Sequence, residues 1–161
     1  ADPFQIDHSI NVAAESIALA FQIPVSGQRR TELGLGALLH DIGMVFVSSQ
    51  TAAKEGTLTV AEMSRILAHP RLGYALLQIS SSSVWFISNH VALQHHELQD
   101  GQGYPCGLFG TNRIARSEQE MFDPERIVQI AAIAATFEAL STDRPRCAAP
   151  VALRPWGCAA S

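Results

Sequence analysis

The chain has 161 residues, 47% of them hydrophobic and 16% charged, with a formal net charge of −4 at neutral pH. Length and composition suit one globular domain with a real core and exclude a disordered chain. The acidic balance argues against general nucleic-acid binding, no apolar run approaches the length of a membrane span, and no signal peptide is visible at the start.

Cys106, Cys147 and Cys158 are widely spaced and odd in number, so they make neither a disulfide framework nor a Cys-x-x-Cys site, and a reducing cytoplasm fits best. The opening Ala1-Asp2-Pro3-Phe4 reads as an appended scar, and the residues after it start mid-helix, as an excised domain would. Residues from about 6 to 22 are expected to form an amphipathic helix, because Ile10, Ala13, Ile17, Ala20 and Phe21 recur at helical spacing before Pro24 and Gly27. A second helix is expected from about Gln28 to Asp41. Leu33, Leu35, Leu38 and Leu39 are its apolar positions, Gly34 and Gly36 permit close helix contact, and Gly43 stops it.

Met44 to Gly56 reads as irregular, with a short extended piece at Val45-Phe46-Val47. Thr59 and Glu62 have capping-box spacing, which starts a helix running to Ala68. Pro70 disfavours helical geometry at His69 and suits the first turn of a further helix carrying Leu72, Ala75, Leu76 and Ile79. Ser80 to Ser83 read as a linker, Val84 to Gln94 as another helix, and Asp100 to Phe122 as a long polar loop. Asp123-Pro124 then supplies an N-cap and a first-turn proline for a last helix reaching about Leu140. Nothing alternates at period two, so the expected class is all-α, with one domain over 1–150 and a poorly ordered tail over 151–161.

Six histidines occur, His8, His40, His69, His90, His95 and His96, and any one alone is more often a structural residue than a ligand. Their positions alter that reading. His40 precedes Asp41 at the end of an apolar helix, His69 sits at a proline-forced junction, and His95-His96 lie at another helix end. Burying such groups is costly without a metal or a proton partner. Adjacent histidines on a helix point about 100° apart, so both reach one centre only near a helix end. Gly103-Tyr104-Pro105 makes such an end. Several imidazoles with a carboxylate are the donors of a polynuclear site, and without a thiolate pair iron, manganese or zinc of a catalytic type is favoured over structural zinc.

His40-Asp41-Ile42-Gly43, followed by His95-His96-Glu97-x-x-Asp100-Gly101-x-Gly103-Tyr104-Pro105, resembles the HD-GYP family, a bacterial signalling branch of the HD-domain phosphohydrolases. The likeness covers most of the chain. It includes His8-Ser9-Ile10-Asn11-Val12, Lys54-x-Gly56-x-Leu58, Glu62, His69-Pro70-x-x-Gly73 and Ala139-Leu140-Ser141-Thr142-Asp143-Arg144-Pro145. It implies a helical bundle holding two or three metals in its core, here two divalent ions (Fe, Mn or Zn), one site being weak or empty. It also implies hydrolysis of cyclic di-GMP to pGpG or GMP by a hydroxide bridging the metals. Carried onto this sequence, His40 and Asp41 are the catalytic pair. One metal takes Asp41, His69, His95 and His96, and its neighbour takes His8, His40, bridging Asp41 and an aspartate of the last helix. Arg144, Tyr104 and Gly103 would meet substrate, while His90 matches no ligand position and reads as structural.

Departures from the family pattern bear on competence. Ala135 occupies the position of the last metal aspartate, Met44 that of a phosphate-binding lysine, and the cation after Arg144-Pro145 is shifted or lost. Glu138, one turn beyond Ala135, is the candidate to compensate as a ligand, directly or through water; the simpler reading makes it the replacement of a second, non-ligating aspartate. Impaired hydrolysis is the expected result of these losses. The competing expectation is a degenerate domain that binds metal, nucleotide or a signalling-domain partner through the Gly-Tyr-Pro loop without turnover. Less favoured is an HD-type hydrolase of another phosphoester. A homodimer is compatible with the chain, although no residue demands one.

Overall fold

The computed structural model describes residues 3–54, 56–80, 86–110 and 124–142. Among them the elements are α1 (Pro3–Ala20), α2 (Gly27–Leu39), a 3₁₀ turn (Ile42–Phe46), α3 (Ser49–Ala52), α4 (Val60–Leu67), α5 (His69–Ser80), α6 (Phe86–Gln94) and α7 (Pro124–Ser141). The protein is all-α: among the described residues the only β pairing is one isolated bridge between Asp100 and Phe109.

Helix α2 packs against both α1 and α6, while α7 closes the bundle against α1, α6 and α2. On α1 the buried stripe is His8, Val12, Ser16 and Ala20, four residues apart, whereas Ile10 and Phe21 of the expected apolar series are exposed. His8 thus heads a core-facing row. Leu33 and Ala37 of α2, Ile87 and Val91 of α6, and Ile127 and Ala131 of α7 complete the centre. A Cβ on Gly36 would stand 2.8 Å from the Ser88 Cα, so α2 and α6 approach more closely than any side chain at that position allows. Ser88 Oγ adds a hydrogen bond to the Glu32 carbonyl oxygen at 2.7 Å.

Three local expectations change. The piece at Val45-Phe46-Val47 is not extended: Ile42–Phe46 is a 3₁₀ turn, and only Val47 takes extended backbone. The region expected to be irregular also holds α3, which Ser48 caps by accepting a hydrogen bond from the Thr51 amide. On α5 the buried residues are His69, Pro70, Gly73 and Leu77, while Leu72, Ala75 and Ile79 face outward. Close backbone contact between Gly73 and Gly43 sets that seam (a Cβ on Gly73 would stand 3.2 Å from the Gly43 N), overriding the apolar count. The Thr59–Glu62 capping box forms as expected, with Glu62 also paired to Lys54 at 2.6 Å. Helix α5 extends through Ser80, and the rest of the serine linker, the loop beyond Gly110, Asp123 and the C-terminal tail lie outside the described residues.

Candidate metal centre

Three helix ends and the start of α1 converge on one buried spot. His40 closes α2 and Asp41 comes directly after it, His69 opens α5, His95 and His96 succeed α6, and His8 comes from the second turn of α1. Glycine makes the approach feasible. A Cβ at Gly43 would stand 2.0 Å from the His69 carbonyl oxygen and 2.6 Å from the Gly73 N. The His40-Asp41-Ile42-Gly43 turn therefore lies backbone to backbone on the start of α5, which brings Asp41 to His69.

Backbone carbonyls orient the rings. Nδ1 of His40 meets the Ala37 oxygen at 2.7 Å and Nδ1 of His69 the Ile66 oxygen at 2.6 Å; Nδ1 of His95 meets those of Val91 and Ala92 at 3.1 Å each. A carbonyl only accepts, so each Nδ1 carries a proton and, in the neutral ring, each Nε2 presents a lone pair. The Nε2 atoms of His69 and His95 are 3.2 Å apart, as are those of His40 and His8. Two lone pairs facing at that distance repel unless a cation or proton lies between them. Two nitrogens bound to one ion at about 2.1 Å stand roughly 3–3.4 Å apart, so the residues fit shared metals.

Asp41 is divided between the two pairs. Its Oδ1 lies 3.1 Å from His69 Nε2 and 3.5 Å from His95 Nε2; Oδ2 lies 3.5 Å from His40 Nε2 and 4.0 Å from His8 Nε2. Two donor clusters result among the described residues, Asp41 with His69, His95 and His96, and His8 with His40 and Asp41. Within each, the ligand atoms lie within 4.8 Å of one another. Burial opposes charge on Asp41, but the imidazoles of His40, His69 and His95 outweigh it and hold the carboxyl well below its ordinary range. Burial draws His95 down to about 4 and, with the neighbouring His95, takes His96 well below its ordinary value. Anionic Asp41 and neutral imidazoles are the ligating forms.

The Gly-Tyr-Pro loop is fastened beside this centre. The Glu97 carboxylate accepts from the amides of Cys106 and Leu108, the latter at 2.8 Å. The Tyr104 amide donates to the His96 oxygen at 3.2 Å, and Arg71 Nη2 donates to the Pro105 oxygen at 2.9 Å. Gly103 passes so close to Leu98 that a Cβ would lie 2.2 Å from its nitrogen. Tyr104 stacks on His96 with centroids 4.6 Å apart, and burial and the Asp41 charge raise its phenol, keeping it protonated. The clamp by Glu97 was not anticipated. Its signal was an acidic residue just before a glycine-rich turn, where free amides need an acceptor.

The structure thus brings together His8, His40, Asp41, His69, His95 and His96, with Tyr104 and Gly103 at the edge. Glu138 is buried behind His8: Oε2 takes the hydrogen bond of His8 Nδ1, and Oε1 accepts from Thr142 Oγ1 at 3.0 Å. Ala135 is half-buried and packs on the hydrophobic core. His90 sits apart, 4.4 Å from the Phe86 ring and 6.2 Å from that of Tyr74. Arg144 lies outside the described residues.

An all-helical bundle with a carboxylate shared by two sets of inward-facing imidazoles defines a class of metal-binding domains. A family model described as HD domain matches residues 3–154. The chain belongs to that family, in its HD-GYP branch. It is 34% identical to a cyclic di-GMP phosphodiesterase of Pseudomonas aeruginosa over 145 residues, covering 90% of this chain and 32% of the relative. It is 35% identical to the cyclic di-GMP phosphodiesterase response regulator RpfG of Xanthomonas campestris over 127 residues, covering 79% and 31%. A 3′3′-cGAMP-specific phosphodiesterase of Vibrio cholerae is 35% identical over 150 residues, 92% of this chain and 30% of the relative. The chain therefore spans about a third of the length of these relatives.

Proposed function

We propose that this domain is a metal-dependent cyclic-dinucleotide phosphodiesterase acting on cyclic di-GMP, with Asp41, His69, His95 and His96 holding one divalent ion and His8, His40 and Asp41 its neighbour. The observation that carries the reading is the Asp41 carboxylate, one oxygen turned to His69 and His95 and the other to His40 and His8. Two divalent ions bound there would activate water and stabilise the attacking and leaving oxygens at phosphorus. The chain's part is positional. Burial disfavours charge on the His95 and His96 rings, the Nδ1 contacts of His40, His69 and His95 with carbonyls turn their Nε2 atoms toward the centre, and His40 and Asp41 stand where the two sets meet. The Tyr104 phenol, kept protonated, can donate a hydrogen bond to a substrate phosphate, while Gly103 leaves room for close approach. Arg144 would add a cation. The names of the relatives support the substrate, and we place the domain over residues 1–150 and in the cytoplasm. Among the described residues no helix is long and apolar enough to cross a membrane.

A second reading is favoured by Ala135 and Met44: a domain that holds metal and nucleotide, or a signalling partner at the Gly-Tyr-Pro loop, without turnover. Metal analysis with a cyclic di-GMP assay in Mn²⁺ or Fe²⁺ separates the two. Turnover that disappears in Asp41→Ala supports the enzyme. Bound metal without turnover, with hydrolysis appearing in Ala135→Asp, supports the second reading. A chain that takes up no metal under anaerobic reconstitution contradicts both.

A further inference from the structure

We propose that Glu138 is a positioning residue for the second metal, acting through His8 rather than by ligating the ion; this rests on the metal reading above. Both of its carboxylate oxygens are engaged, Oε2 by His8 Nδ1 and Oε1 by Thr142 Oγ1 at 3.0 Å. The donors that cluster at this half are His8, His40 and Asp41, and Glu138 is not among them. The other three core imidazoles at the centre, His40, His69 and His95, are oriented at Nδ1 by backbone carbonyls three or four residues earlier in the chain. His8 alone among these four is shown held at Nδ1 by a carboxylate, which comes from a helix 130 residues away in sequence.

The location makes that carboxylate informative. Glu138 is buried and lies in the last turn of α7, where unpaired carbonyls disfavour an anion, and the Glu15 carboxyl feels its charge. An acid in such a place is stabilised by a specific N–H partner, here that of His8. A carboxylate on the far nitrogen of a ligating imidazole fixes its tautomer, locks its ring and strengthens Nε2 as a donor. The half-site needs that help, because Ala135 brings no oxygen to it and, among the described residues, three side-chain donors cluster there. Thr142 completes the relay by holding Glu138 in turn.

The test is a double-mutant cycle read by Mn²⁺ titration of the metal-free protein, alongside the melting temperature of the metal-free form. Wild type is expected to take two ions. Glu138→Ala should weaken the second by about 10–100-fold and leave the first unchanged. Glu138→Gln, whose amide oxygen still accepts from Nδ1, should recover part of the loss. In a His8→Ala background, Glu138→Ala should change Mn²⁺ affinity no further. Equal losses with and without His8 would overturn the proposal in favour of direct ligation or general destabilisation, as would unchanged affinity in Glu138→Ala. If Glu138→Ala does not fold, Thr142→Val with Glu138→Gln carries the same cycle, and absence of any weakening there overturns the proposal. Wild type that binds two ions while Glu138 proves silent leaves the metal centre standing; wild type that binds none removes both.

Discussion

At the scale of single residues, the spacing of charge around Asp41 dictates what its removal does. The two imidazole pairs, each with Nε2 atoms 3.2 Å apart, share this one anion. Asp41→Ala should lower bound divalent metal from two ions to at most one and cut cyclic di-GMP turnover by at least ~100-fold, measured by metal analysis and product chromatography. Glu62 gives a cleaner electrostatic prediction because it stands away from the centre. The Lys54 ammonium, then the Thr59 amide and hydroxyl, hold its carboxyl at about 2, against 4.5 ordinarily. A depressed carboxylate stabilises the fold fully above its unfolded value and loses that contribution as pH falls toward the folded one. Glu62→Gln should therefore lower the melting temperature at pH 7, and the gap to wild type should narrow as pH drops from 4.5 toward 2. A constant gap across that range would contradict the assignment. Both residues could be found in the sequence, Asp41 by its motif and Glu62 by its capping spacing. Glu97 leaves only a general signal, an acid ahead of a glycine-rich turn; its partners are not legible, because the two amides it accepts from lie nine and eleven positions later, in a loop without periodicity.

At the scale of elements, two glycine contacts decide where helices meet. With a Cβ at position 43 lying 2.0 Å from the His69 carbonyl oxygen, Gly43→Ala must push the 3₁₀ turn off α5. We expect a loss of about 1–3 kcal/mol in chemical denaturation, with weakened metal uptake because Asp41 and His69 separate together. Glu97→Gln tests the loop in isolation. Replacing a carboxylate clamp on two amides by a neutral one should raise KM for cyclic di-GMP several-fold and leave metal stoichiometry at two, since Glu97 belongs to neither donor cluster. The six longer helices, α1, α2 and α4 to α7, were legible because 3.6-residue periodicity and caps are local signals, whereas the single turn of α3 is too short to show a period. Helix facing was less so. The buried side of α5 follows Gly73 and Leu77, and that of α1 follows His8, Val12, Ser16 and Ala20, so polar or minimal residues occupy core positions that an apolar count passes over.

For the whole molecule, the clustered side chains come from α1, the α2 end, the α5 start and the α6 end, so ions bound there would tie together two helix pairs separated along the chain. Ligands that bind only the folded state stabilise it by mass action, about 2.7 kcal/mol at a free concentration one hundred times Kd. Stripping the metal with a chelator should lower the melting temperature by roughly 5–10 °C for a chain of this size, restored by Mn²⁺. Asp41→Ala should show a much smaller chelator effect. An identical chelator shift in both proteins would mean that the stabilising ion sits elsewhere.

The all-α class, the order of the longer helices and the six residues that meet at the centre could be taken from the chain alone. Periodicity, capping pairs and motif spacing are written in neighbouring residues. Only the folded bundle decided which Nε2 atoms face each other, that one Asp41 oxygen serves each set, and that Glu138 stands behind His8. Those facts depend on helix-end orientations to within an ångström, set by the Gly43–Gly73 and Gly36–Ser88 contacts between segments distant in sequence. No local pattern encodes such a distance, because packing of the assembled helices creates it.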